Sequence, residues 1–156
     1  MNAVDLSVIV VNWNTRELLR ACLTSVQKHT VDLDYELIVV DNGSSDGSPA
    51  MVRDEFPDAT LIENPDNRGF AAANNQGIRA AKGRAVLLLN SDTELTGNSL
   101  LKLHRFLFSR KEIGVAGGLL THPGGAPQWS YGFEPSLERR LWITVSGLLG
   151  ISPGRK

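Results

Sequence analysis

The strongest constraint on folding here is a repeated pattern. Short oily runs each stop at a polar or acidic residue, and segments of helical period separate them. The runs are LSVIVVNW (6–13), YELIVVD (35–41), ATLIEN (59–64) and RAVLLLN (84–90). They are rich in Val, Ile and Leu and apolar at consecutive positions, which marks strands covered on both faces. Between the first two, Leu18, Leu19, Cys22, Leu23 and Val26 recur at helical spacing within 15–29, with Thr15 or Asn14 expected as the N-cap. Residues 49–56 open on Pro49, which suits a first helical turn. Residues 69–82 are alanine-rich and read as helix, 98–109 read as an amphipathic helix, and 113–121 are expected to add a fifth strand. Strands alternating with helices predict an α/β fold with a mostly parallel, Rossmann-like sheet flanked by helices.

Such a sheet places its chemistry. Ligands sit beyond the carboxyl ends of parallel strands, where strand order reverses, and neighbouring ends are about 4.8 Å apart. The residues closing the strands therefore matter most: Asn12, Trp13 and Asn14, then Asp41 and Asn42, then Asn64, then Asn90 and Asp92. Aspartate favours turns, so one strand-ending Asp is ordinary; two on one rim point to a ligand. The dinucleotide fingerprint and the P-loop are both absent. A diphosphate bound here lacks a phosphate-wrapping loop, and a hard cation bridging carboxylate and phosphate oxygens fills that role. Asp92 is the expected ligand, with the Asn90 amide oxygen as a weaker donor. Asp41 is expected to accept from a base N–H or a ribose hydroxyl. Trp13 reads equally as a stacking platform for a base or as core.

Composition excludes other classes. The 156 residues carry a net charge of −1 without a long basic run, so a nucleic-acid partner is not expected. The single Cys22 forms no internal disulfide. His29, His104 and His122 lack metal-ligand spacing. The run Leu6 to Val11 is too short to span a membrane and has no basic flank or cleavage site. A cytoplasmic location is expected.

Four motifs, VIVVNWN, LIVVDNGSSDGS, NRGFAAANNQGIRAAKG and LLLNSDTEL, stand in the order and spacing of a family 2 glycosyltransferase with the GT-A fold, and resemble rhamnosyltransferase-type members over residues 5–122. The resemblance implies an inverting transferase in polysaccharide biosynthesis. It would use a nucleotide diphosphate sugar, Mg²⁺ or Mn²⁺, and a glycan or lipid-linked acceptor hydroxyl. It implies that Val11, Asn12 and Trp13 line the base pocket, that Asp41 holds the base, and that Asp92 carries metal and diphosphate. Asn90 and Ser91 stand in the D-x-D motif beside it. Asn67, Gly69, Ala73, Asn75 and Gly77 match an N-x-G-x-x-x-A-x-N-x-G pattern whose helix start faces the nucleotide, with Arg68 reaching the base or diphosphate. On this reading the oily fourth run is a central strand that delivers Asp92.

Two departures stand out. Asn90 replaces the first Asp of D-x-D, which should weaken metal binding. No E-D motif supplies a general base; Glu134 and Glu138 sit in the wrong context. The catalytic base is thus unassigned. The expected organisation is a nucleotide-sugar-binding subdomain over 1–122 and, over 123–156, a loop plus helical segment that begins the acceptor side. The chain reads as the donor half of a transferase, cut before the acceptor-binding half. The alternative is a nucleotide-binding module without transferase activity. A nucleotidyltransferase is disfavoured, because no Gly-rich loop with Arg and Lys follows the first strand. The apolar segment Leu141 to Ile151 has basic flanks, Arg139, Arg140, Arg155 and Lys156. It reads first as a core or subunit-contact helix, favouring homo-oligomers, and second as a peripheral contact with the inner membrane face.

Overall fold

The computed structural model describes residues 4–128. Strand β1 (Leu6–Asn12) is followed by helix α1 (Arg16–His29), β2 (Tyr35–Asp41), α2 (Ser48–Glu55), β3 (Thr60–Glu63), α3 (Phe70–Ala80), β4 (Ala85–Asn90) and α4 (Ser99–Leu107). The four strands are parallel, in the order β3-β2-β1-β4. The chain builds outward from β1 through β2 to β3, then crosses to the other side of β1 for β4. Strand order therefore reverses between β1 and β4. Val11 is paired with Asn90, and Asn12 with Asp41, so the polar strand ends meet on one rim.

Strand alternation divides the core into two layers. On one face Leu6, Val8, Val10, Leu37 and Val39 pack against Leu19, Cys22, Leu23 and Val26 of α1, Met51 and Val52 of α2, and Leu100 of α4. On the other, Ile9, Ile38 and Val40 pack against Ala73 of α3. Leu18, expected on the buried stripe of α1, is instead 50% exposed. The stripe runs through Leu19, Cys22, Leu23 and Val26, one turn face narrower than the sequence pattern.

Two expectations are corrected. β4 is not central among the described residues: it pairs with β1 alone, and its burial alternates, leaving Val86 and Leu88 exposed on the α3 side of the sheet, beyond the strands that α3 covers. Residues 113–120 form no strand. Gly114, Gly117 and Gly118 have nothing within 4 Å of a built Cβ, and Val115 is 90% exposed. Glycine weakens a strand interior and brings no side chain to pack. The chain divides after Gly118. Beyond it, an isolated antiparallel bridge joins Thr121 to Pro127 around a turn with Gly125 at φ 80°. Glu134, Glu138 and the segment Leu141 to Ile151 lie outside the described residues.

Helix α3 presses closely on β1. A Cβ at Gly77 would collide with Ile9 Cγ2, and Ile9 is fully buried. We expect Gly77→Ala to destabilise the fold by about 1–3 kcal/mol through overpacking, outweighing the ~1 kcal/mol that alanine gains in helix propensity. Urea unfolding checks this: the midpoint should fall with an unchanged slope.

Candidate functional site

The rim at the strand-order reversal is organised by a buried carboxylate. Alternation along β2 points residues 37, 39 and 41 to the α1/α2 face, so Asp41 ends beneath the rim and is 2% exposed. Its Oδ1 accepts from Asn12 Nδ2 at 2.9 Å, and its Oδ2 accepts from the Ser44 N–H at 2.8 Å. Expected to face a ligand, Asp41 is directed inward to the chain's own donors.

Asn12, fully buried, extends this arrangement. Its Nδ2 also donates to Ser44 Oγ at 3.1 Å, and its Oδ1 accepts from Thr15 Oγ1 at 2.7 Å. Thr15 Oγ1 in turn lies 3.0 Å from Ser91 Oγ. Thr15 therefore stands at the N-cap position of α1, as expected, but its side chain makes no capping hydrogen bond. Asn14 adopts the left-handed region (φ 54°), which Asn tolerates better than most residues. Its N–H donates to Ser44 Oγ, and its Oδ1 accepts from the Ser45 N–H.

The cap comes from Asp46. Its Oδ2 accepts from the Arg16 N–H at 2.8 Å, at the start of α1. Its Oδ1 accepts from the N–H and hydroxyl of Ser48, at the start of α2. One carboxylate thus closes two helix N-termini, where negative charge is favoured. Partial burial opposes the charge. The bonds from the Ser48 hydroxyl, the Ser48 N–H and the Arg16 N–H outweigh it and hold the carboxyl below the usual aspartate range.

The other side of the rim is held by neutral amides. Asn64 and Gln76 exchange reciprocal hydrogen bonds at 2.8 Å, and Asn64 Nδ2 also donates to Asn42 Oδ1. Asn42 accepts from the Arg68 N–H and donates to Asn67, which accepts from the Gly69 N–H. This fixes the segment leading into α3. Its first turn has no side-chain cap and no acidic residue. Gly43 is required where that segment crosses: at φ 81°, a Cβ there would lie 2.8 Å from the Asp66 backbone.

Three expected site residues are open to solvent. Trp13 is 55% exposed, which removes the reading as core. The Arg68 side chain is half-exposed, 3.5 Å from Asp66. Asp92 follows β4 on the surface, and neither it nor the Asn90 side chain has a hydrogen-bond or ion-pair partner among the described residues. Val11 lies on the α3 face, partly buried. Ser91, half-buried, faces Thr15. Cys22 underlies the turn and donates to the Asn90 carbonyl at 3.6 Å; burial, then the Asp92 and Glu94 carboxylates, push its thiol up to about 12. No three His, Cys, Asp or Glu gather as a metal cage among the described residues. One carboxylate with a neighbouring amide oxygen suits a hard cation whose remaining ligands are water and phosphate oxygens.

A parallel sheet with polar strand ends at a strand-order reversal defines an α/β architecture whose ligand site lies at that rim, and comparison with known proteins resolves it further. The model for glycosyl transferase family 2 matches residues 7–149. The chain belongs to glycosyl transferase family 2. It is 35% identical over 115 residues to an uncharacterized glycosyltransferase of Bacillus subtilis, covering 72% of this chain and 29% of that protein. It is 30% identical over 108 residues to a poly(ribitol-phosphate) beta-glucosyltransferase of Bacillus spizizenii, covering 66% and 17%. The chain therefore spans less than a third of the length of these two relatives. Among solved structures, it resembles a mannosyltransferase from Pyrobaculum calidifontis in complex with GDP-Man and Mn²⁺, with TM-score 0.57, 30% identity, and coverage of 65% and 31%. The GT-A fold expected from the sequence is the fold observed.

Asn42 and Asn64 were expected at the rim as strand ends; Asp46, Thr15, Ser44 and Gln76 were not among the expected site residues. A signal for Asp46 was present: Asp-Gly-Ser-Pro ahead of a helix is a capping sequence. Because its folded-state pKa lies below the ordinary value near 3.8, the Asp46 contribution is present above that value and lost as pH falls through the lower folded one. We expect Asp46→Asn, whose amide keeps one acceptor oxygen and places an NH₂ where the second accepted, to cost about 1 kcal/mol at pH 7. The difference from the parent chain should shrink towards pH 2, as followed by thermal unfolding at both values.

Proposed function

We propose that this chain forms the donor side of an inverting glycosyltransferase, binding a nucleotide diphosphate sugar across the rim between β1 and β4. The observation that carries the reading is the exposed Asp92 with Asn90, without a side-chain partner among the described residues, beside β1 at the strand-order reversal. Support also comes from the uncapped first turn of α3, whose N–H groups favour an anion. Trp13 stacks on the base, Val11 lines its pocket, and Asn67 and Gly69 set Arg68 towards the diphosphate. Asp41 and Asn12 hold the rim beneath the ligand. Asp92, helped by Asn90, holds a divalent cation, Mg²⁺ or Mn²⁺, which when bound neutralises charge on the diphosphate leaving group.

In the transfer, an acceptor hydroxyl attacks the anomeric carbon from the face opposite the diphosphate. The bond from that carbon to the diphosphate oxygen breaks, and the hydroxyl proton passes to a general base. The described residues hold the leaving side of this reaction. The donor is assigned as a hexose or rhamnose diphosphonucleotide. The acceptor is a glycan or lipid-linked hydroxyl reached from the cytoplasm, at the inner membrane face. No helix among the described residues is long and apolar enough to cross a membrane.

Calorimetric titration of UDP, dTDP and GDP with Mn²⁺, and again with EDTA, tests the proposal. We expect Mn²⁺ to strengthen binding at least tenfold for one of the three, Asp92→Asn to abolish that gain, and Asn90→Asp to enlarge it by adding a carboxylate. Equal affinity with and without Mn²⁺ in the parent chain would sink the assignment. Asp41→Ala should instead lower stability by about 1–3 kcal/mol, because it strands the buried Asn12 amide and the Ser44 N–H.

A further inference from the structure

The hydrogen-bond chain crossing the rim has a direction that proton counting fixes. The Asn12 amide nitrogen faces the Asp41 carboxylate at 2.9 Å, which identifies it as the donor end; the reversed amide would oppose two oxygens. Asn12 Oδ1 is therefore an acceptor, and the Thr15 hydroxyl, 2.7 Å away, must donate to it. Thr15 has one hydroxyl proton, now committed. In its 3.0 Å contact with Ser91 it is consequently the acceptor, and Ser91 is the donor. Every link, from Ser91 to Thr15 to Asn12 to Asp41, points at the same buried negative charge. Aligned hydrogen bonds of this kind polarise and strengthen one another. The Ser91 proton is held inward, and Ser91 lies between Asn90 and Asp92.

We propose that Thr15 is a positioning residue for the diphosphate end of the site. Its hydroxyl relays the fixed charge of Asp41 across the rim to Ser91 and thereby sets the turn that carries Asn90 and Asp92. The inference rests on the donor-site reading above but concerns a residue that neither touches the ligand nor caps its own helix. Among the described residues Thr15 makes the sole side-chain to side-chain hydrogen bond to that turn; its other ties are the backbone pairing of Val11 with Asn90 and the Cys22 thiol on the Asn90 carbonyl.

The test uses Thr15→Val, which keeps the shape and removes the hydroxyl, and Thr15→Ser, which keeps the hydroxyl. Mn²⁺-dependent binding of inorganic pyrophosphate and of the nucleoside diphosphate selected by the parent chain is measured beside binding of the corresponding nucleoside. We expect Thr15→Val to weaken both diphosphate ligands roughly tenfold, the loss of about one hydrogen bond. Nucleoside affinity should stay unchanged, and Thr15→Ser should remain within about twofold of the parent. Unchanged diphosphate affinity in Thr15→Val overturns the proposal. So does an equal loss for nucleoside and diphosphate that tracks a lowered unfolding midpoint, since that marks a purely structural role. Amide NMR spectra without ligand read the relay independently: the Ser91 and Asp92 signals should shift in Thr15→Val and return in Thr15→Ser. If the parent chain shows no Mn²⁺-dependent binding, the donor-site reading fails. The spectra still decide the relay, because unmoved Ser91 and Asp92 signals overturn it.

Discussion

The rim depends on the Asp41 charge lying out of water. A buried carboxylate must be bonded or it destabilises the fold by several kcal/mol, and Asp41 meets this with donors from two separate segments. Asn12 closes β1 onto it, and the Ser44 N–H folds the following loop back over it. The rest of the rim is then built on those two partners. Through Asn12 the order reaches Thr15 and Ser91 beyond β1 on the β4 side; through Ser44 it reaches Asn14 and the entry to α1. The charge organises the chain from beneath and leaves the exposed positions, Trp13 and Asp92, uncommitted.

The two halves of the rim use different chemistry. The β1–β2 half is tied by carboxylates, Asp41 beneath it and Asp46 at the two helix starts. The β2–β3 half is tied by Asn42, Asn64, Asn67 and Gln76, none of which titrates. Acid therefore acts on the hydrogen bonds of one half through Asp46 and leaves the amide bonds of the other unaltered. The segment carrying Arg68 is held by bonds that do not change between acid and neutral conditions.

The elements were legible because hydrophobic period and length agree in every segment from 6 to 109, and the strand ends named the rim. What the sequence hid was orientation. Asp41 closes an apolar strand, as a ligand residue would, but the face it occupies follows from which residues of β2 meet α1, a tertiary fact. Thr15 has the chemistry of an N-cap, and nothing local shows that Asp46, thirty positions on from Arg16, supplies the capping oxygen instead. The stretch 113–121 carries Ile, Val and Leu in strand proportion, yet its three glycines leave it little to pack, and among the described residues β4 pairs on one side alone. Asp92 was legible by position because surface exposure and a strand end are both local properties.

Cys22 has a practical consequence. It is the only cysteine of the 156 residues, fully buried under the turn that bears Asp92, with its thiol pushed up to about 12. At pH 8 the thiol stays protonated, and the thiolate is the reactive form. The folded chain is thus a silent background for thiol chemistry. A fluorophore or spin label attached through a single cysteine introduced on the rim reports from that position alone, without first removing the native sulfur.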